Sequence, residues 1–150
     1  YVEKGYCKSY FIIDDEKKNT GFFFENEIAT DIQSFGSGNP SAFNMVACEP
    51  MTVVIFDRKT LFEISSQHIE IERLGRNCIR QFALRQEEFA NMIQLYRPLE
   101  RLDFLERRYP EMVQRVPLTQ LASFLGVARE TLSRIRKRRT SCNYVTIVTG

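Results

Sequence analysis

The sequence from Leu118 to Ile135 reads LTQLASFLGVARETLSRI, and this stretch decides the fold of the C-terminal part. Its apolar residues recur mostly every three or four positions, as on helices that bury one face. They are Leu118, Leu121, Leu125, Val127, Leu132 and Ile135. Ala122 is small enough to let two helices cross closely, and Gly126 can end the first helix in a left-handed conformation. We therefore predict a helix, a turn at Gly126 and a second helix, which together form a helix-turn-helix.

The second predicted helix carries polar residues that suit the major groove of DNA. Arg129, Glu130 and Arg134 are expected on one exposed face. Arginine can donate twice to guanine, and a carboxylate can accept from the N4 amine of cytosine. Further residues are expected to contact phosphates: Thr119, Thr131, Ser133, Arg136, Lys137, Arg138 and Arg139. The alternative is an ordinary two-helix corner in an α-helical core. One weakness is Ala128, which stands where a serine would cap the helix better.

The segment Arg129-Glu-Thr-Leu-Ser-Arg-Ile135 resembles the recognition helix of the catabolite-activator/FNR family of bacterial transcription regulators. The resemblance implies that Arg129, Glu130 and Arg134 contact bases. It also implies double-stranded DNA and RNA polymerase as partners, a homodimer and a cytoplasmic location. In that family a winged helix-turn-helix follows a sensor domain, and the β-rich tail from Asn143 to Val148 could supply a wing strand.

The distribution of charge agrees with a nucleic-acid partner at one end of the chain. Residues 97–150 hold 11 Lys and Arg against 5 Asp and Glu, a net charge of +6, whereas residues 1–96 hold 10 against 14, a net charge of −4. A basic segment beside an acidic one is typical of polyanion binding by the basic part. We therefore assign residues 97–150 to a helix-turn-helix DNA-binding domain.

Composition excludes several other classes of protein. The sequence contains no apolar run of membrane-spanning length. Its four cysteines are scattered and it has one histidine, so we expect neither a metal site nor a disulfide framework. No convergent set of acid, base and nucleophile is visible, and we expect no enzymatic activity. Scattered cysteines also fit a reducing, cytoplasmic setting.

The N-terminal part predicts strands. The run Tyr6–Ile13 is rich in aromatic and β-branched residues, a polar turn follows over residues 14–21, and Phe22 opens the returning strand. We expect a Gly/Ser/Pro loop over residues 34–41 and two further strands over residues 43–48 and 52–56. With the family resemblance, the fold class is α+β, and residues 1–66 form a partial β-roll of the cyclic-nucleotide-binding, jelly-roll type. The family's roll has more strands before the position of Tyr1, so the resemblance implies that the sequence begins inside the roll.

Residues 67–96 predict one long helix. Apolar residues follow a spacing of three and four that is close to a coiled-coil stripe. They are Ile71, Leu74, Cys78, Phe82, Phe89, Ile93 and Tyr96, with a polar Arg85 between the two phenylalanines. We predict a homodimer through this helix, and the alternative is a helix that packs on its own domain. Pro98 ends the helix, and a second one is expected over residues 99–108.

The effector site of the resembled family is only partly present. Its cyclic-nucleotide motif has Phe-x-Gly-Glu and, later, an Arg before a small residue. Here Glu27 matches the ribose-binding glutamate, Asn26 replaces the glycine, and Pro40 stands in place of the phosphate-binding arginine. Ser41 remains as a candidate hydrogen-bond donor to a phosphate. Because the charge partner is missing, we expect no cofactor and predict that cyclic AMP is not the effector.

Two functional interpretations therefore remain. The favoured one is a sequence-specific DNA-binding transcription regulator with an unknown effector. The alternative is a ligand-sensing or protein-interaction module with a cyclic-nucleotide-binding-like fold and no specific DNA binding. The basic recognition helix distinguishes the first from the second.

Overall fold

A computed structural model describes the backbone of residues 1–142 and the side chains of residues 1–138. The chain divides into two compact units, one over residues 1–89 and the other from Ala90 onward. The predicted wing strand at Asn143–Val148 lies outside the described residues.

The first unit contains two small antiparallel sheets, a short helix between two of their strands, and further helices after the last strand. Its elements are β1 (Val2–Lys4), β2 (Cys7–Ile13), β3 (Glu16–Phe23), α1 (Ile32–Ser37), β4 (Asn44–Ala47), β5 (Thr52–Val53), α2 (Arg58–Gln67) and α3 (Ile69–Leu95), the last of which continues into the second unit. Strand β1 pairs with β5, and β2 lies between β3 and β4. Strands were expected in the regions of β2, β4 and β5, and the sheets confirm them, whereas β1 was not among the strands predicted individually.

The turn of the first hairpin is shorter than the sequence predicts. Only Asp14 and Asp15 form it, both with positive φ, and Ile13 already pairs with Glu16. Two consecutive residues with positive φ match the twist of a hairpin, and aspartate tolerates this conformation better than most residues. The prediction of a polar turn over residues 14–21 is therefore wrong, because most of those residues lie in β3.

The predicted Gly/Ser/Pro loop over residues 34–41 also differs, because half of it is helical. The Asp31 carboxylate accepts hydrogen bonds from the backbone amides of Gln33 and Ser34 and so caps α1. Gly38 ends the helix with a φ of 79°. A good cap at each end lets a short helix form despite the glycine within it.

The core of the first unit joins the sheets to α3. Val2, Cys7 and Phe23 are buried together, and Phe82 from α3 packs against them. This position of Phe82 corrects the predicted stripe, in which Phe82 belonged to the dimer interface. The alternative, a helix packed on its own domain, therefore applies to this face of α3.

The second unit is helical in its described part. It contains the end of α3 followed by α4 (Pro98–Arg108), α5 (Pro110–Arg115), α6 (Leu118–Leu125) and α7 (Arg129–Cys142). Its core side chains are at most 1% exposed and come from each of these helices: Met92, Leu102, Leu105, Met112, Leu121, Leu125 and Leu132. The sequence patterns predict all of these helices except α5, a single short segment opened by Pro110.

Candidate DNA-binding surface and effector site

Helices α6 and α7 are joined by a tight turn at Gly126. The glycine has a φ of 66°, its amide donates to the carbonyls of Ala122 and Ser123, and the Val127 amide donates to Ala122 at 3.0 Å. This is the Schellman arrangement, which requires a left-handed residue. Ala122 is 2% exposed at the contact between the two helices. The turn and the small residue thus lie where the sequence places them.

The predicted base-contacting residues lie on the surface of α7. Arg129, Glu130 and Arg134 are all exposed, while Leu132 between them is fully buried and anchors the helix. Glu130 and Arg134 are one helical turn apart and share a face. Among the proposed phosphate-contacting residues, Thr119, Thr131, Lys137 and Arg138 are exposed, and Ser133 is half-buried.

The basic run that follows is not uniform. Arg136 is half-buried and one of its terminal nitrogens donates to the Val113 carbonyl at 3.3 Å, so part of its side chain faces the core of the unit. Arg138 is exposed. The side chain of Arg139 lies outside the described residues. Arg136 therefore has a packing role that the sequence prediction did not include.

A functional residue missed by the sequence reasoning is Arg101 on α4. Its guanidinium donates to the carbonyls of Ile93, Tyr96 and Leu125, at 2.8, 2.9 and 2.7 Å. Arg101 therefore links the end of α3 to the last residue of α6. The sequence offered no signal for this role, since an arginine on an amphipathic helix is ordinarily a solvated residue.

In the first unit, Glu27 is already engaged within the chain. One of its carboxylate oxygens pairs with the guanidinium of Arg85 on α3, and the other accepts from the Phe24 amide at 2.9 Å. Arg85 also donates to the Phe22 carbonyl at 2.8 Å and lies over the ring of Phe89. The two charged side chains are 30% and 17% exposed. A ribose hydroxyl would therefore have to share the Glu27 carboxylate with Arg85 and the Phe24 amide.

The departure from glycine at Asn26 is tolerated for a clear reason. Asn26 has a φ of 67°, and its side-chain oxygen accepts from the Tyr1 hydroxyl at 2.7 Å. Asparagine is one of the residues that adopt the left-handed conformation readily. The glycine-specific turn of the motif is thus kept without the glycine.

Ser41, the second tentative effector residue, is bonded to an acid. Its hydroxyl donates to the Asp31 carboxylate at 2.8 Å, and the Ala42 amide approaches the same oxygen at 3.4 Å. Burial opposes ionisation of Asp31, but hydrogen bonds from the Ser34 amide and the Ser41 hydroxyl outweigh it and hold the pKa of the carboxyl below its usual value. A carboxylate that favours its charged form therefore lies beside the residue predicted to donate to a phosphate.

The part of the chain that the structure describes contains neither a metal-binding cluster nor a membrane-spanning helix. In that part, no three His, Cys, Asp or Glu side chains come close enough to hold a metal ion. Across the same residues, no helix has the length and apolar character needed to cross a membrane.

Known proteins resemble this chain in structure and not detectably in sequence. No family model and no curated protein matches it. Among solved structures, FixK2 from Bradyrhizobium japonicum matches with a TM-score of 0.77 and 16% identity, over 99% of this chain and 77% of its own. A cyclic nucleotide-binding domain containing protein from Listeria monocytogenes EGD-e matches with a TM-score of 0.72 and 15% identity, over 96% of this chain and 73% of its own.

These matches establish the fold. The chain has a cyclic-nucleotide-binding-like architecture with small antiparallel sheets followed by helices, and the match extends over nearly all of it. The resemblance predicted from the sequence is confirmed at the level of the fold.

Proposed function

We propose that this protein is a bacterial, cytoplasmic, sequence-specific DNA-binding transcription regulator of the catabolite-activator/FNR type. The observation that carries the proposal is the exposed set Arg129, Glu130 and Arg134 on α7, held in place by the buried Leu132. The net charge of +6 over residues 97–150 favours a polyanion as partner. RNA polymerase is kept as a further partner from the sequence resemblance.

The proposed assembly is a homodimer through α3. Two recognition helices related by a two-fold axis would read two half-sites about one helical turn apart, roughly 34 Å, so the operator should be a near-palindrome. Val2, Cys7 and Phe23 already cover the face of α3 that carries Phe82. The dimer interface is therefore assigned to exposed apolar residues on another face of this helix.

The test compares specific with random DNA. Genomic fragments are selected on the purified protein, and the recovered site is used to measure the affinities of the wild type and of Arg129→Ala. We expect this variant to lose about 1–3 kcal/mol on the selected site and to relax base preference at one position. Arg107→Ala serves as the matched control, because Arg107 is an exposed arginine on α4 of the same unit.

Three outcomes are informative. A loss confined to the selected site supports base contact by Arg129. An equal loss on selected and random DNA would limit Arg129 to a phosphate contact. Failure of the wild type to enrich any fragment would reject the proposed function and favour a ligand-sensing or interaction module.

A further inference from the structure

Arg101 joins the ends of two helices in the second unit through one side chain. Ile93 and Tyr96 lie at the C-terminal end of α3, and Leu125 is the last residue of α6. Each offers a backbone carbonyl to a different nitrogen of the guanidinium, at 2.7 to 2.9 Å. Arg101 itself is half-buried and its contact with the Leu125 carbonyl is partly buried, so water screens that contact less than it would on an open surface.

The chemistry of these contacts makes the arrangement specific for arginine. The last carbonyls of a helix lack intrahelical partners and carry partial negative charge. A guanidinium presents its donors in a rigid planar fork, whereas an ammonium is a compact charge that cannot span separated acceptors in the same way. One arginine can therefore hold the two helix ends at a defined separation.

The third acceptor lies next to the turn that precedes the recognition helix. The Leu125 carbonyl immediately precedes Gly126, and a Cβ at Gly126 would lie 3.7 Å from a terminal nitrogen of Arg101. Arg129, the first residue of α7, follows three positions later. The direction in which α7 leaves the turn thus depends on a backbone segment that Arg101 holds.

We propose that Arg101 is a positioning residue for DNA recognition, which couples the C-terminal end of α3 to the turn that orients α7. The proposal rests on the proposed function and deepens it, because it names the contact through which a shift of the end of α3 reaches the recognition helix. Arg101 acts through α7 and makes no contact with bases.

The test uses Arg101→Lys in the full chain, with Arg107→Lys on the same helix as the control. Affinity for the selected DNA site is expected to fall at least tenfold in Arg101→Lys, while affinity for random DNA changes less than twofold. A residue that only stabilised the fold would lower the melting temperature and leave this ratio unchanged in the folded protein. Circular dichroism identifies the temperature at which all variants are folded.

A second measurement does not depend on DNA. The Val127 amide is hydrogen-bonded to Ala122 across the turn, and its hydrogen exchange is expected to accelerate in Arg101→Lys and not in Arg107→Lys. If the lysine variant fails to fold, Gly126→Ala strains the same turn directly and should produce the same selective loss. An unchanged ratio of affinities together with unchanged exchange at Val127 would overturn the proposal. If the wild type binds no DNA site specifically, but hydrogen exchange at Val127 is still faster in Arg101→Lys, the proposed function is rejected and the role of Arg101 in the turn is retained.

Discussion

At the scale of single residues, Arg85 is a charged side chain that has several partners within the first unit. It pairs with Glu27, donates to the Phe22 carbonyl and covers the ring of Phe89. The contacts with Glu27 and Phe22 join the sheet region to α3, and the contact with Phe89 lies within α3. Arg85 interrupts an apolar stripe in the sequence, and the structure shows which groups it binds there.

We expect Arg85→Met to lower the free energy of unfolding by about 1–3 kcal/mol. Breaking a fully buried pair costs about 3–5 kcal/mol, and the partial exposure of this pair reduces that figure. Urea unfolding measures the loss, with Arg73→Met as the control because Arg73 is an exposed arginine of the same helix.

The double variant Arg85→Met with Glu27→Gln should recover part of that stability, since no carboxylate is then left without its cation. A double-mutant cycle with purely additive losses would show that the two side chains do not interact in solution.

At the scale of elements, α3 has apolar residues on more than one face. Phe82 packs against the core of the first unit, and Phe89 is 6% exposed. Ile79 is 55% exposed. Ile79, Gln86 and Ile93 lie seven residues apart, which is the spacing of a coiled-coil seam. Near one end of this seam, nothing lies within 4 Å of a Cβ built on Gly75.

We expect Ile79→Asp to convert the dimer to monomers and to weaken binding of the two-fold site at least tenfold. An aspartate at the seam would place two like charges in an apolar interface. Asn77→Asp is the matched control, because it adds the same charge on an exposed position about 160° around the helix.

Sedimentation velocity measures the oligomeric state of both variants. A dimer that persists in Ile79→Asp at the concentration of the wild type would contradict this interface. By contrast, Phe82→Asp should destabilise the first unit itself, since Phe82 lies against Val2, Cys7 and Phe23.

At the scale of the whole molecule, the acidic and basic parts have different roles in the proposed function. Residues 1–96 carry a net charge of −4, and no arginine lies among residues 1–56 to replace the one missing at Pro40. Glu27 is paired with Arg85, and Ser41 donates to Asp31. These features support the prediction that a cyclic nucleotide is not the effector.

We expect titration of cyclic AMP or cyclic GMP by calorimetry to show no binding in the micromolar range, and neither nucleotide should change the affinity for the selected DNA site. A charge-assisted phosphate contact contributes up to about 3 kcal/mol, and the loss of a contact of that strength weakens binding about a hundredfold. The selected DNA duplex, titrated into the same preparation, provides the positive control. One micromolar site per chain for either nucleotide would contradict the prediction.

Much of the helical part could be predicted from sequence because its signals are local. Helix periodicity, Pro98 at the start of α4 and Gly126 after α6 act within a few residues of the structure they determine. The hairpin turn and α1 were predicted less well, since caps at Asp31 and positive φ at Asp14 outweighed composition.

Local sequence specifies the helix pair at Gly126, the basic residues of α7 and the absence of the phosphate-binding arginine, because each is a property of neighbouring residues. The partners of Arg85 and Arg101, by contrast, depend on the tertiary packing. The Phe22 carbonyl is 63 residues from Arg85, and the Leu125 carbonyl is 24 residues from Arg101. Backbone carbonyls have the same chemistry in every residue, so no residue type identifies which of them an arginine will bind. That choice depends on where packing brings the ends of the helices and strands.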